Sequence, residues 1–191
     1  MSLTNAGNNE VHCKIVYYGA HQCGKTSNIA GVCERTPALA RGEMLTLDVQ
    51  SGQAVSYEFL PLDMGTVRGR KVRFHLYSVP GDTVDERTQQ LLMDGAYGIV
   101  FVVDSQKSRF RENVLSYEAL ERIQAALGKP PGATPLVLQY NKRDLPDAMP
   151  VAVLNARLNG SMAPYVLAVA IKGMGVVSTL RAVSEQVLAR L

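Results

Sequence analysis

The sequence predicts an α/β fold, in which a mostly parallel sheet of six or seven strands contains one antiparallel hairpin and carries helices on both faces. Apolar runs typical of buried strands alternate along the chain with segments of helical period. In addition, residues 19–26 match the pattern G-x-x-x-x-G-K-[ST] directly after the first apolar run. We expect one domain over residues 11–191, preceded by a flexible terminus over residues 1–10.

Each predicted element of the first part of the chain rests on its own pattern. Residues 11–18 alternate and then become wholly apolar, which predicts a buried strand, and residues 26–35 predict the first helix. Thr36-Pro37 ends that helix, because proline disfavours helix in the residue before it. No period holds from there to about Gln53, and so long a loop is typical of a lid or switch.

The middle of the chain predicts the antiparallel hairpin. Residues 54–62 and 71–79 each alternate apolar and polar side chains, and the glycines between them indicate the turn. Pro80-Gly81 ends the second strand. A polar, weakly periodic segment that could rearrange follows over residues 82–95.

The second half of the chain alternates strands and helices. Continuous apolar runs predict strands covered on both faces, and apolar residues at helical spacing predict helices. The expected order is a strand at 98–103, a helix at 110–127, a strand at 134–140, a short helix at 151–158, a strand at 165–170 and a closing helix at 176–187.

The composition is that of an ordinary globular protein, with 47% hydrophobic and 19% charged residues. The net charge of +3 arises from 20 basic and 17 acidic residues in mixed order and gives no reason to expect nucleic acid as a partner. The polar N-terminus lacks the apolar core of a signal peptide and no apolar run reaches membrane-spanning length, so we expect a cytoplasmic protein.

One basic cluster consists of Arg68, Arg70, Lys71 and Arg73. It lies at the predicted turn of the hairpin. A solvated hairpin face is the favoured interpretation, and a membrane or partner patch is the alternative.

The pattern at residues 19–26 predicts a phosphate-binding loop. Its backbone N–H groups and the N-terminus of the following helix would hold phosphate oxygens, and Gly19 and Gly24 keep the turn free of Cβ atoms. Lys25 would reach the β- and γ-phosphates, and the Thr26 hydroxyl would ligate the Mg²⁺ ion that bridges them. The remaining residues predicted to bind at this loop are His21, Gln22, Cys23 and Ser27. Cys23 is either a small space-filling residue, which is favoured, or a reactive thiol.

The segment Asn141-Lys142-Arg143-Asp144 predicts recognition of guanine. It follows the fifth strand of the predicted sheet, on the side where ligands of such sheets bind. The Asp144 carboxylate can accept hydrogen bonds from N1–H and from the 2-amino group of guanine, whereas adenine offers neither donor at that edge. Lys142 would lay its stem over the base.

With these motifs in this order, the chain resembles a Ras-like small GTPase of the P-loop NTPase class. More narrowly, it is similar to the bacterial gliding-motility and cell-polarity GTPases of the MglA type. The resemblance covers about residues 11–190, and its most specific segments are 14–19, 42–44, 59–63, 73–77, 79–81 and 141–148. Apart from Ala170, whose N–H would meet the guanine O6, the Ser-Ala-Lys segment of Ras-like proteins does not carry over.

The resemblance implies a switch that binds GTP or GDP with Mg²⁺ and recruits motility or polarity effectors when loaded with GTP. Its expected regulator is a roadblock-domain dimer of the MglB type, and recruitment to a cell pole would follow. Lys25, Gly81 and Asp82 are the positions expected to take part in catalysis.

Several residues depart from the family pattern. Ser78 stands where Ras-like proteins have the Asp that holds Mg²⁺ through water, although MglA-type proteins also have a hydroxyl residue there. Metal binding would then depend more on Thr26, with Asp63 either a helper or a strand-end turn residue. Asp82 replaces the Gln that orients the attacking water.

The first switch loop departs further. Gln53 and Ala54 occupy the positions of the family's internal arginine finger and of the Thr that closes onto Mg²⁺. Because an arginine finger is worth about a thousandfold or more in rate, we expect slow hydrolysis. The bulk of His21 and Gln22 would also block an external arginine, unless His21 is a plain solvent-facing residue. A GTP-bound scaffold that never cycles is the nearest alternative function, and a P-loop kinase or ATPase is a third.

Overall fold

The computed structural model describes residues 9–50, 54–79 and 85–191, and over these ranges it confirms the α/β fold. The strands of the described chain form one seven-stranded sheet in the order β2-β3-β4-β1-β5-β6-β7. Strand β3 is antiparallel to both neighbours, and the other pairs are parallel. The bounds are β1 Glu10–Tyr18, α1 Lys25–Arg35, β2 Leu45–Gln50, β3 Ala54–Val67, β4 Arg70–Ser78, α2 Glu86–Met93, β5 Ala96–Asp104, α3 Phe110–Ala126, β6 Leu136–Asn141, α4 Val151–Leu158, β7 Tyr165–Leu167 and α5 Val176–Ala189.

The first strand divides two hydrophobic cores. Its odd-numbered residues, such as Ile15 and Tyr17, pack in the core that α1 and α5 cover. Val16 and Tyr18 point into the opposite core, which contains residues of α2, α3 and α4. Helices therefore cover both faces, as the alternating pattern predicts. Among the described helices, none combines the length and apolarity needed to cross a bilayer.

The segment predicted as a long loop between the first helix and Gln53 contains the edge strand β2. It pairs antiparallel with β3 from Leu45, opposite Phe59, to Gln50, opposite Ala54. The absence of a clear period misled the prediction, because an edge strand needs no regular apolar face to take part in a sheet. The strand that precedes Asn141 is consequently the sixth along the chain.

The polar segment at residues 82–95 also contains regular structure, since α2 covers Glu86–Met93. Asp85 caps this helix by accepting a hydrogen bond from the Thr88 N–H at 2.9 Å. The helix buries the polar side chains of Thr88 and Gln89 and exposes Leu91. Its sequence therefore lacks the helical spacing of apolar residues by which a helix is predicted. Gln89 is buried because its Oε1 accepts from the Tyr18 hydroxyl at 2.6 Å.

The predicted hairpin is present, and its turn is tighter than the prediction. Strand β3 continues through a bulge between Asp63 and Thr66, and Arg68 and Gly69 form the two-residue turn with φ of 49° and 77°. Asp63 accepts a hydrogen bond from the Gly65 N–H at 2.8 Å and pairs in register with Arg73, which pairs with His12 of β1. It lies about 20 Å along the sheet from the phosphate loop. Asp63 therefore lies at a bulge within β3 rather than at a strand end, and its distance from the phosphate loop gives no support to the metal-helper interpretation.

A buried polar network that the sequence did not indicate fixes α1 on the sheet. The Asn28 amide donates to the Gly24 carbonyl at 2.9 Å and to Gln139 Oε1 at 2.6 Å. Gln139 Nε2 in turn donates to Asn28 Oδ1 and to Thr179 Oγ1, each at 2.8 Å. Because none of these three side chains is accessible to water, each depends on the others for its hydrogen bonds.

We predict that Asn28→Ala lowers the free energy of unfolding by about 1–3 kcal/mol, because it leaves the buried Gln139 Oε1 without a partner. Urea denaturation measures the change. Glu34→Ala, an exposed position on the same helix, is the control and should change stability by less than about 0.5 kcal/mol. Equal effects of the two substitutions would contradict the structural role of the network.

Candidate functional site

The predicted site residues meet at the carboxyl edge of the sheet. Residues 19–24 follow β1, Asp104 ends β5 and Asn141 ends β6, and these three strands are adjacent and parallel. Ser78 ends β4 on the other side of β1. This edge, where parallel strands feed their loops, is where α/β sheets bind ligands.

Two glycines of the loop are required by close contacts. Gly19 has φ 147°, and a Cβ atom there would lie 2.3 Å from the Val102 carbonyl oxygen. Gly24 has φ 107°, and its Cβ would lie 2.2 Å from the Asn141 side-chain nitrogen. Any other residue would push the loop away from β5 or from the end of β6. The close contacts thus support the prediction that the loop needs Gly19 and Gly24 because they have no Cβ atom.

The N-terminus of α1 has the features of an anion site. Within the described residues, no side chain caps the helix, whose N-cap is Gly24, and its first turn contains no acidic residue. The first backbone N–H groups are therefore oriented toward the loop with the positive end of the helix dipole. Thr26 is exposed and Ser27 is half-buried in this first turn.

Lys25 lies inside the loop. Its side chain is buried, and Nζ donates to the carbonyl oxygens of Gly19 at 2.9 Å and Ala20 at 2.8 Å. These two contacts hold a positive charge within the ring of loop residues. A phosphate oxygen at the loop would meet this ammonium group and the amides of α1 together.

Cys23 is a space-filling residue of the loop. Its side chain is fully buried, and burial raises the pKa of the thiol, an effect that the nearby Lys25 ammonium only partly opposes. The reactive form of a cysteine is the thiolate, which a raised pKa disfavours. Between the two interpretations of this cysteine, the structure supports the structural one.

The loop is braced from outside by Arg109, a residue that the sequence did not single out. Its Nη2 donates to the His21 carbonyl oxygen at 2.9 Å, and its Nη1 pairs with Glu112 at 3.3 Å. His21 and Gln22 expose their side chains, and Gln22 adopts φ 56°. The exposure of both side chains fits each interpretation of His21, as a block to an external arginine and as a plain solvent-facing residue.

Asn141 joins the phosphate loop to the predicted base-binding segments. Its Nδ2 donates to the Cys23 carbonyl oxygen at 2.8 Å, and its Oδ1 accepts from the Ala170 N–H at 2.8 Å. The residue is buried, and both bonds connect segments far apart in the chain. One amide therefore sets the distance between the loop for phosphate and the segments for the base.

Lys142 is anchored by a buried carboxylate. It adopts φ 60°, and its Nζ donates to Asp104 Oδ2 at 2.6 Å. The Asp104 side chain is 1% exposed, so the pair satisfies a charge that would otherwise be costly to bury. The aliphatic stem of Lys142 is thereby fixed at the carboxyl edge, beside the loop.

Asp144 lies at the surface of the same edge and forms an ion pair. Its Oδ2 accepts from Lys172 Nζ at 2.7 Å, and this hydrogen bond is the main cause that lowers the pKa of the Asp144 carboxyl. The last predicted strand is shorter than expected, since β7 ends at Leu167 and residues 170–172 form a single 3₁₀ turn. That turn brings both Ala170 and Lys172 to the base-binding segments.

At the end of β4, Ser78 contacts a carboxylate that the sequence analysis missed. The Ser78 hydroxyl donates to the Glu58 carboxylate and accepts from the Glu58 N–H at 3.1 Å. Glu58 belongs to β3, the neighbouring antiparallel strand, so the sequence places it 20 residues away. The Glu58 carboxylate thus lies at the end of β4, where Ser78 itself carries no charge.

Three of the predicted positions, Gln53, Gly81 and Asp82, lie outside the described residues. Ala54 is the first residue of β3, and only its backbone is described. The basic cluster at the hairpin is exposed, with Arg73 paired to Glu10.

Of the residues that the sequence analysis missed, one carried a usable signal. Asp104 comes directly after a continuous apolar run and ends β5. Asn141 was identified from the same position at the end of its own strand. Glu58 and Arg109 had none, because their roles depend on strand pairing and on the fold of the segment before α3.

Comparison with curated proteins places the chain beside a known motility protein. Over 191 residues, which are all of this chain and 98% of the relative, it is 42% identical to the mutual gliding-motility protein MglA of Myxococcus xanthus. A search of protein-family profiles found no match. The alignment extends over the whole chain, so it includes the segments that form the sheet and the loops at its carboxyl edge.

We predict that Gly24→Ala weakens binding of GDP by about a hundredfold or more, because the new Cβ would displace Asn141 and strain the backbone. Fluorescent GDP titration measures the affinity. Gly160→Ala is the matched control, since no atom lies within 4 Å of its Cβ position.

Gly160→Ala should unfold at about the temperature of the unmodified protein, and Gly24→Ala, although strained, should remain folded at the temperature of the titration, which circular dichroism checks. Affinity for GDP within twofold of the unmodified protein in Gly24→Ala would contradict the assigned loop geometry. If ATP at an equal concentration displaced bound fluorescent GDP, the predicted recognition of guanine would be contradicted.

Proposed function

The chain belongs to the MglA-type group of Ras-like small GTPases, and we propose that it is a guanine-nucleotide switch that controls gliding motility or cell polarity. The observation that carries this proposal is the Asn141 amide. It bonds Cys23 in the phosphate loop and Ala170 in the base segment, and so fixes the two subsites at one distance. A mononucleotide likewise has a phosphate part and a base part, which one ribose joins within a limited range of separations.

The side chains of the site divide the binding of a guanine nucleotide among them. The amides of α1 and the Lys25 ammonium bind phosphate oxygens, and the Lys142 stem packs on the base. Asp144 reads N1–H and the 2-amino group. The Ala170 N–H, which donates to Asn141 Oδ1, would be shared with the guanine O6.

The oxygen groups at the loop fit Mg²⁺, a hard cation that prefers hydroxyl, carboxylate and water oxygens. When bound, the ion neutralises charge between the β- and γ-phosphates. We assign the Thr26 hydroxyl as its protein ligand. Glu58 of β3, which contacts Ser78 at the end of β4, would supply the carboxylate that holds the water shell of the ion in place of the Asp that Ser78 replaces.

The enzyme hydrolyses GTP slowly under this proposal. Asp82 carries a charge that γ-phosphate repels, and it offers no hydrogen bond to the negative charge that develops in the transition state. Gln53 and Ala54 remove the arginine and the threonine from the first switch. Nucleotide binding does not depend on those three positions and would survive.

Partner proteins would read the state of the bound nucleotide. We propose a roadblock-domain dimer of the MglB type as regulator and motility or polarity effectors as targets, with recruitment of a cytoplasmic protein to a cell pole. The support is the relative, whose name states a mutual gliding-motility role.

We predict that the double substitution Gln53→Arg, Asp82→Gln raises the single-turnover rate of GTP cleavage by about a hundredfold or more, because it restores the arginine and the water-orienting amide. The rate is measured with and without a roadblock dimer. Gln50→Arg with Asp82 retained is the control for added charge alone.

Rapid turnover by the unmodified protein, or no gain from the double substitution, would contradict slow hydrolysis through these positions. The nucleotide that co-purifies separates the two candidate functions. Persistent GTP, even with the dimer present, favours the non-cycling scaffold, and GDP favours the switch.

We predict that Glu58→Gln raises by about tenfold the Mg²⁺ concentration needed to slow GDP release by half, because the neutral amide binds the ion's water shell more weakly. Release of fluorescent GDP is followed over a Mg²⁺ titration. Asp63→Asn, on the same strand but at its far end, is the control and should leave the titration unchanged. An unchanged titration in Glu58→Gln would remove Glu58 from the metal site.

A further inference from the structure

Lys172 carries a contact that the phosphate and base motifs do not explain. Its Nζ lies 2.7 Å from Asp144 Oδ2, the carboxylate that the proposed function assigns to guanine. The lysine side chain is 61% exposed and the aspartate side chain is 31% exposed. Such a pair contributes little to folding stability, so its effect is to be sought in binding.

Guanine makes a strict demand on the orientation of this carboxylate. The N1–H and 2-amino donors are parallel and coplanar, so both oxygens of Asp144 must lie in the plane of the base. An aspartate left to itself has a broad terminal torsion and would lose this freedom on binding. A second contact that fixes the carboxylate beforehand would reduce that loss.

The carboxylate has room for both partners. Two oxygens offer about four lone-pair sites, of which guanine uses two and one ammonium uses one. The Lys172 ammonium also favours the ionised form, which accepts both hydrogen bonds, and it lowers the pKa of Asp144 accordingly. The ion pair and the base are therefore compatible on a single side chain.

The backbone of Lys172 is held in place from two sides. Its N–H donates to the Val169 carbonyl oxygen at 2.9 Å, and its own carbonyl accepts from Arg35 Nη2 at 3.3 Å. Gly173 follows with φ 70°, where the Arg35 guanidinium occupies the position that a Cβ would need. The stem of Lys172 thus starts from a fixed point, which allows its ammonium to position a partner.

We propose that Lys172 is a positioning residue for guanine recognition, which holds the Asp144 carboxylate oriented for the two donors of the base. This role rests on the proposed guanine-binding function. It acts through Asp144, so it should increase selectivity for bases that present both donors. Inosine nucleotides, which lack the 2-amino group, gain less from a carboxylate fixed in this plane.

The test is a double-mutant cycle on nucleotide affinity. Lys172→Met keeps the length of the stem and removes the charge, and it should weaken GDP binding about three- to tenfold and IDP binding less. Lys172→Arg should restore most of the affinity. In an Asp144→Ala background, Lys172→Met should have no further effect. Lys71→Met, an exposed lysine on β4, is the control for loss of charge.

The outcomes separate the inference from the function on which it rests. If Asp144→Ala leaves GDP affinity unchanged, the guanine assignment itself fails. If Asp144→Ala weakens GDP binding and Lys172→Met does not, only the role of Lys172 fails. Tighter GDP binding in Lys172→Met would also overturn the role, because the lysine would then compete with the base. An equal loss for GDP and IDP would do the same.

Discussion

The hydrogen bonds of one amide, that of Asn141, set the arrangement on which the rest of the site depends. They connect the loop after β1 with the turn after β7, and the side chain also fills the space that only a glycine at position 24 leaves free. Because Asn141 ends β6, a parallel strand paired on both sides, its position follows from the sheet rather than from any flexible loop. The segments proposed to bind the phosphates and the base are thus connected through one side chain without any ligand.

Much of this unit could be predicted from the sequence because its residues form local motifs. The loop glycines, Lys25 and the Asn141 segment stand at fixed spacings within a few residues, and the strands before them are continuous apolar runs. The helices α3 and α4 were predicted within a residue or two of their observed bounds, since apolar residues mark one face of each.

The elements that the sequence did not reveal depend on contacts between distant segments. Strand β2 exists because β3 offers it a partner, and α2 buries glutamine and threonine because Tyr18 and Asp85 provide hydrogen bonds. Likewise, Glu58 reaches Ser78 only through the register of the hairpin, and a tertiary pairing of this kind leaves no periodic signal in the sequence.

The buried set of Asn28, Gln139 and Thr179 also constrains how such a protein can diverge. Gln139 bonds both Asn28 and Thr179 away from water, so a change at one position leaves a polar atom with one partner fewer. Exchange of all three for apolar residues of similar volume could be nearly neutral. We therefore expect related chains to keep the three residues together or to replace them together. Replacing the three residues one at a time would pass through less stable proteins. The presence or absence of the whole set should therefore distinguish lineages of related chains.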